Sequence, residues 1–161
     1  MQLKADQSSA HWGKEQIVNE THPLTTNGYG FGTTLEVPFT EAVERTTEAL
    51  KVEGFGVLTT IDVRQTMQEK LGVDFEPYVI LGACNPQLAY RGLQVEHELG
   101  LLLPCNVIVH EHEGASVVSV VDPAQMLGVV GDNTELRAVA AEAGDRLRRV
   151  VSALSMNPGG A

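Results

Sequence analysis

An apolar stripe near the C-terminus constrains this chain more than any other feature. Leu136, Val139, Ala140, Ala143, Leu147, Val150, Val151 and Leu154 recur at helical intervals, which places them on one face of an α-helix. Arg137, Glu142, Asp145, Arg146, Arg148 and Arg149 occupy the rest of the circumference. A helix with one apolar face gains most of its stability by laying that face on another apolar surface. The rest of the chain must therefore build that surface. Asp132 and Glu135 have the spacing of a capping box at the helix start. The basic residues gather in the second half, where the helix dipole favours them.

The preceding segments read as strands and shorter helices. Residues 31–37 alternate and are rich in β-formers, and Pro38 ends them. Thr40 is placed to cap the next element, in which Phe39, Val43, Thr46, Ala49 and Leu50 recur at helical spacing. Gly54 closes it. Residues 55–61 read as a strand, and Asp62 is placed to cap a short helix that Gly72 ends. Residues 78–83 form a nearly continuous apolar run of strand length, the mark of a strand buried on both faces. Asn85-Pro86 then combines a good N-cap with a proline at the first helical position. A second short helical piece follows over residues 94–101. Residues 105–111 and 115–121 pair as a hairpin around Glu113-Gly114. Asp122-Pro123, with Gln125 at capping-box spacing, starts one more short helix that ends near Gly128.

This order predicts a two-layer α+β domain. It has a mostly antiparallel five-stranded sheet, helices on one face and short helical insertions. The other face is expected to pack on a second copy or to enclose a ligand. The domain is expected over residues 29–155. A polar N-terminal arm (residues 1–28, with the only Trp, Trp12, as a possible anchor) precedes it, and a flexible tail (residues 156–161) follows.

Composition excludes several function classes. The 161 residues carry 11 Lys plus Arg against 21 Asp plus Glu, a formal net charge of −10. That charge repels a duplex or an anionic membrane, so neither nucleic acid nor membrane is an expected partner. No apolar run reaches the roughly 18 residues needed to span a bilayer, and the first residues lack the pattern of a signal peptide. The expected compartment is the cytoplasm. Two cysteines do not make a disulfide scaffold.

The feature with most chemical content is a repeated Cys-Asn, each beside a proline: Cys84-Asn85-Pro86 ends one strand, and Pro104-Cys105-Asn106 opens another. If the two strands are antiparallel neighbours, Cys84 and Cys105 lie close together. Cys84 also precedes a helix N-terminus, whose partial positive charge can lower a thiol pKa. A dithiol, a thiolate nucleophile or a soft-ligand site would be served by this pair, and so would an ordinary apolar core, where cysteine packs as a small hydrophobe. Asn85, Asn106 and Arg91 are the candidate ligand-binding side chains. His110 and His112 share one face of a strand and are a weaker metal candidate. They have the opposite parity to Cys105, so no combined Cys/His site is expected on that strand. No nucleotide-binding, phosphate-loop or serine-hydrolase motif is present, and no cofactor is expected.

Several segments together resemble a known family. These are residues 53–63 (Glu-Gly-Phe-Gly-Val-Leu-Thr-Thr-Ile-Asp-Val), Lys70-Leu71-Gly72-Val73, Leu81-Gly82-Ala83-Cys84-Asn85-Pro86, residues 101–107 (Leu-Leu-Leu-Pro-Cys-Asn-Val) and Asp122-Pro123. In combination they are similar to the prokaryotic domain of unknown function 302 (DUF302) over about residues 29–154. The resemblance implies a TATA-binding-protein-like fold of β-α-β4-α order and a homodimer, and it implies no activity. The leading expectation is a dimeric module that binds a small ligand near the Cys-Asn segments. The alternative is a thiol-based redox or thiol-transfer protein using Cys84 and Cys105.

Overall fold

A computed structural model describes residues 25–156. Trp12, the arm before residue 25 and most of the expected tail lie outside the described residues. The first half of the domain contains β1 (Thr25–Thr26), β2 (Gly30–Leu35), α1 (Phe39–Val52), β3 (Gly56–Asp62), α2 (Val63–Leu71) and β4 (Tyr78–Cys84). The second half contains α3 (Pro86–Val95), a 3-10 helix (His97–Leu102), β5 (Cys105–His112), β6 (Ala115–Val121), α4 (Pro123–Leu127), a short 3-10 turn (Gly128–Val130) and α5 (Thr134–Ser155). The α+β architecture is the one the sequence predicts. The sheet gains one small strand: β1, from the end of the expected arm, pairs antiparallel with β2.

The sheet order is β1-β2-β6-β5-β4-β3, antiparallel throughout. Strands β3 to β6 form a meander. The β2–α1–β3 connection crosses the sheet from one side to the other, which lays α1 over one face. On that face Leu35, Leu81, Val107, Val109, Val118 and Val120 meet Leu50 of α1 and Leu147, Val150, Val151 and Leu154 of α5. Each such side chain contributes about 1.5–3 kcal/mol when fully buried. The first half of the α5 stripe has a different partner. Leu136, Val139, Ala140 and Ala143 pack with Leu88, Leu99 and Leu127 of α3, the 3-10 helix and α4. One stripe thus joins the sheet to the helical insertions.

Local chemistry explains most element ends. The end of α1 is a Schellman motif: Phe55 N–H donates to Leu50 O at 2.9 Å, and Gly54 N–H to Lys51 O at 3.0 Å, with Gly54 at φ +82°. Asp62 accepts from Gln65 N at 2.9 Å and caps α2, and Gly72 ends it at φ +65°. Glu113 and Gly114 both have positive φ (50° and 83°), the requirement of the tight hairpin turn between β5 and β6.

Two cap assignments need correction. Pro38, not Thr40, is the residue before α1, and no side chain caps that helix. The proline presets φ and leaves Thr40 inside the first turn. Helix α5 is capped by Asn133, whose Oδ1 accepts from Leu136 N at 3.0 Å. Asp132 instead pairs with Arg137. The apolar run over β4 is an inner strand, with Val79, Leu81 and Ala83 in the core. Tyr78 and Ile80, on its other face, are only half-buried.

Candidate functional site

The register of β4 on β5 places Ala83 opposite Cys105, so Cys84 lies one residue beyond that pair. Both thiols are free. They line an apolar cleft where the ends of these strands meet α3, α4 and α5. Phe55, Leu88, Leu103, Met126 and Val139 complete much of its wall. The free volume is about 30 Å³. That is room for a water or one small group. Ligand pockets for drug-sized molecules are typically about 300–1,000 Å³. A larger ligand enters only by displacing side chains. Cys84, Ala89, Leu103 and Met126 are the half-buried lining residues, and Leu103 and Met126 are the long side chains among them. Met is the more adaptable of the two.

Electrostatics at the thiols runs against the helix-dipole expectation. Burial raises the Cys84 pKa above the usual thiol value. Burial, with a smaller effect from Cys84, pushes Cys105 up to about 11. Desolvation is the leading cause at both sulfurs, for Cys105 because it is buried and for Cys84 because the apolar cleft removes part of its water. At neutral pH both groups are thiols.

Asn85 bridges two roles. Its Oδ1 accepts from Leu88 N at 3.2 Å and caps α3. The side chain is 8% exposed and lines the cleft. Its Nδ2 has no hydrogen-bond partner among the described residues. A Cβ built on Gly54 would stand 2.9 Å from Asn85 Nδ2 and 3.6 Å from Arg146 Nη1. The Arg146 guanidinium is held there by Glu53 O at 3.2 Å and Glu142 Oε1 at 3.1 Å. The Glu142 pKa is lowered by its hydrogen bonds, first to Arg146 and then to Arg91. Sequence reading did not single out Arg146. The Glu142–Arg146 spacing is visible on a helical wheel, but the reach from α5 to the end of α1 is set by the tertiary fold.

The other candidates lie elsewhere. Asn106 is exposed and sits opposite Gly82 on the other face of the sheet from Cys105. Arg91 is engaged with Glu135 and Glu142, each at 2.9 Å. Neither lines the cleft. His110 stacks on Tyr78, with ring centroids 5.3 Å apart and planes 14° from parallel, and its Nδ1 is 3.6 Å from Glu76. His112 is exposed. Among the described residues no three His, Cys, Asp or Glu side chains converge as a metal site, and no helix is long and apolar enough to cross a membrane.

Residues 31–154 match the family described as Domain of unknown function DUF302. The chain is also similar to a crystal structure of an uncharacterized conserved DUF302 protein from Bacillus stearothermophilus. Identity is 35%, the TM-score is 0.72, and the match covers 78% of this chain and 98% of that one. No curated protein matches the chain.

Proposed function

The chain belongs to the DUF302 family, and from that premise we propose that it is a non-catalytic module whose apolar cleft binds a small ligand. The observation that carries this reading is the joining of an apolar wall to one spare polar donor. Leu88, Cys84, Cys105, Met126 and Val139 supply the wall, and Asn85 Nδ2 has no partner among the described residues. Small-molecule sites commonly combine apolar walls with a few placed polar groups. No nucleophile, base and oxyanion donor converge there, so binding fits better than catalysis. The thiol reading is weaker, because both sulfurs are pushed toward the protonated form.

The test is a thermal-shift series with small apolar solutes on the full chain, run beside Ala89→Leu, which enlarges a residue of the cleft wall. Solutes of up to about six heavy atoms are expected to raise the Tm of the parent through preferential binding to the folded state, and not that of the variant. Equal response of both proteins, or none, contradicts the assignment.

We also propose that the protein acts as a homodimer through the sheet face remote from α1 and α5. Ile61, Ile80 and Ile108 are cross-strand neighbours there, and Ile61 is 49% exposed. A contiguous apolar patch of this kind favours association of two copies.

A further inference from the structure

We propose that the outer edge of β3 takes an extended peptide segment of a partner protein, a basic residue followed by alternating β-branched residues, with the basic residue seated in an acidic hollow beside Asp62. This is independent of the cleft and of the sheet-face contact. Three observations support it.

The first is an open edge. Strand β3 ends the sheet and pairs with β4 alone. In an antiparallel pair, alternate residues turn their N–H and C=O away from the partner strand. Among the described residues, no backbone group outside β4 meets those of residues 56–61. All of β3 except Val57 is exposed. A Cβ at Gly56 would meet nothing within 4 Å. One at Gly82 would collide with Thr59 Oγ1, so the Thr59 side chain leans inward over β4 and not across the edge.

The second is the chemistry of the strand. Solvent-facing edges are commonly blunted by Lys, by proline or by a covering element. Residues 56–61 contain no charged residue and no proline. The one irregularity is a bulge between Val57 and Thr59, and residues 59–62 stay in regular register with β4. Leu58 and Ile61 are 67% and 49% exposed. In strand addition, main-chain hydrogen bonds supply affinity, and contacts to alternate side chains supply specificity. Residues 59–62 offer the first, and Leu58 and Ile61 the second.

The third is charge. At the Asp62 end an open hollow of about 400 Å³ is lined by Asp62, Arg64, Gln65, Gln68, Glu69 and Asp74. Arg64 lies 3.5 Å from Asp74. Asp62 and Glu69 each accept a hydrogen bond from Gln65, and neither has an ion-pair partner among the described residues. The hollow thus holds two carboxylates in excess. A strand antiparallel to β3 brings its N-terminal end to Asp62, so the basic residue precedes the apolar ones. A chain of formal charge −10 also attracts a basic segment at long range.

The probe is acetyl-Arg-Thr-Val-Thr-Val-Thr-amide, titrated into the ¹⁵N-labelled full chain. Its controls are the same peptide with Glu in place of Arg, and the same peptide N-methylated at its four central residues, which cannot donate to a strand. The Arg peptide is expected to give saturable amide shifts at Thr59, Thr60 and Ile61. The Glu peptide is expected to bind about three- to tenfold more weakly, the range of surface ion pairs, and the N-methylated peptide not to bind. Glu69→Gln combined with Asp74→Asn changes two exposed side chains and is expected to bring the Arg and Glu peptides within about twofold of each other. No saturable shift with the Arg peptide, or equal binding of its N-methylated form, overturns strand addition. Equal affinity for the Arg and Glu peptides, or a preference unchanged in the double variant, overturns the hollow as the seat of the basic residue. Edge amides that shift on dilution of the protein alone make a second copy the occupant and overturn the peptide assignment. Peptide affinity unchanged by cyclopentanone, a small solute for the cleft, supports a separate edge site, and competition between the two overturns it.

Discussion

The side-chain amide of Asn85 rests against Gly54, so closely that a Cβ at residue 54 would lie 2.9 Å from Asn85 Nδ2. Gly54 completes the Schellman end of α1, and Asn85 starts α3. One contact therefore ties the end of the first helix to the start of the helical insertion, at the wall of the cleft. Gly54→Ala is expected to cost about 2 kcal/mol, from positive φ plus the displaced amide. Urea denaturation measures it. A loss below about 0.5 kcal/mol, the range of an ordinary surface substitution, would show that the contact is not tight.

Thr46 is fully buried on α1, and its hydroxyl has no hydrogen-bond partner among the described residues. Valine has nearly the same shape without the hydroxyl. Thr46→Val is expected to stabilise the domain by about 1–2 kcal/mol, by removing an unsatisfied buried polar group. A lower denaturation midpoint for the variant contradicts this.

Cys105 gives a pH signature. Its folded pKa of about 11 lies above the ordinary 9.0, so the folded state holds the proton more tightly than the unfolded state. The stability from this group is complete below about pH 9 and is lost as pH rises toward 11. A shift of that size corresponds to about 2–3 kcal/mol. Tyr78 also has a raised pKa, through burial and then Glu76 and Tyr29, so the informative quantity is the difference between the parent and Cys105→Ala. The parent should lose the extra stability over this window, and the variant should not. Parallel curves contradict the burial account.

Much of the architecture is legible in the residues because the deciding interactions are local. Asp62, Gly54, Gly72 and Asn85 act where their spacing places them, and the parity argument that separates Cys105 from His110 and His112 is a property of the strand itself. The antiparallel pairing of the two strands that carry Cys84 and Cys105 is as supposed, with Ala83 rather than Cys84 opposite Cys105 and both thiols free. The misses are competitions between similar local options. Asn133 outcompetes Asp132 one residue away, and Pro38 displaces Thr40. The sequence leaves open the choice between an acidic thiol and a core cysteine, because the dipole is visible there and the apolar cleft around the sulfurs is not. Arg146 was missed because its partner Glu53 lies 93 residues away.

Asn106 and Arg91 separate placement from residue type. Asn106 faces the other side of the sheet, and Arg91 is tied to Glu135 and Glu142. Asn106→Ala and Arg91→Gln are each expected to leave cyclopentanone affinity within twofold of the parent, a difference of about 0.4 kcal/mol. Titration calorimetry is the check. A tenfold loss in either would move the site away from the cleft.

The isoleucine row, exposed at Ile61 and half-buried at Ile80 and Ile108, tests the dimer. Ile61→Glu places a carboxylate on an already exposed position of the apolar face, so it should spare the fold. A dimer that uses this face is expected to become monomeric in sedimentation. An unchanged dimer, or a parent that is already monomeric, contradicts the proposed interface.

The central claim is where a small molecule sits. Methyl-labelled protein titrated with cyclopentanone in two-dimensional ¹H–¹³C NMR tests it most directly. The account predicts saturable shifts at Leu88, Leu103, Met126 and Val139 of the cleft wall, with Ile61, Ile80 and Ile108 unmoved. Shifts centred on those isoleucines, or none at all, would contradict it.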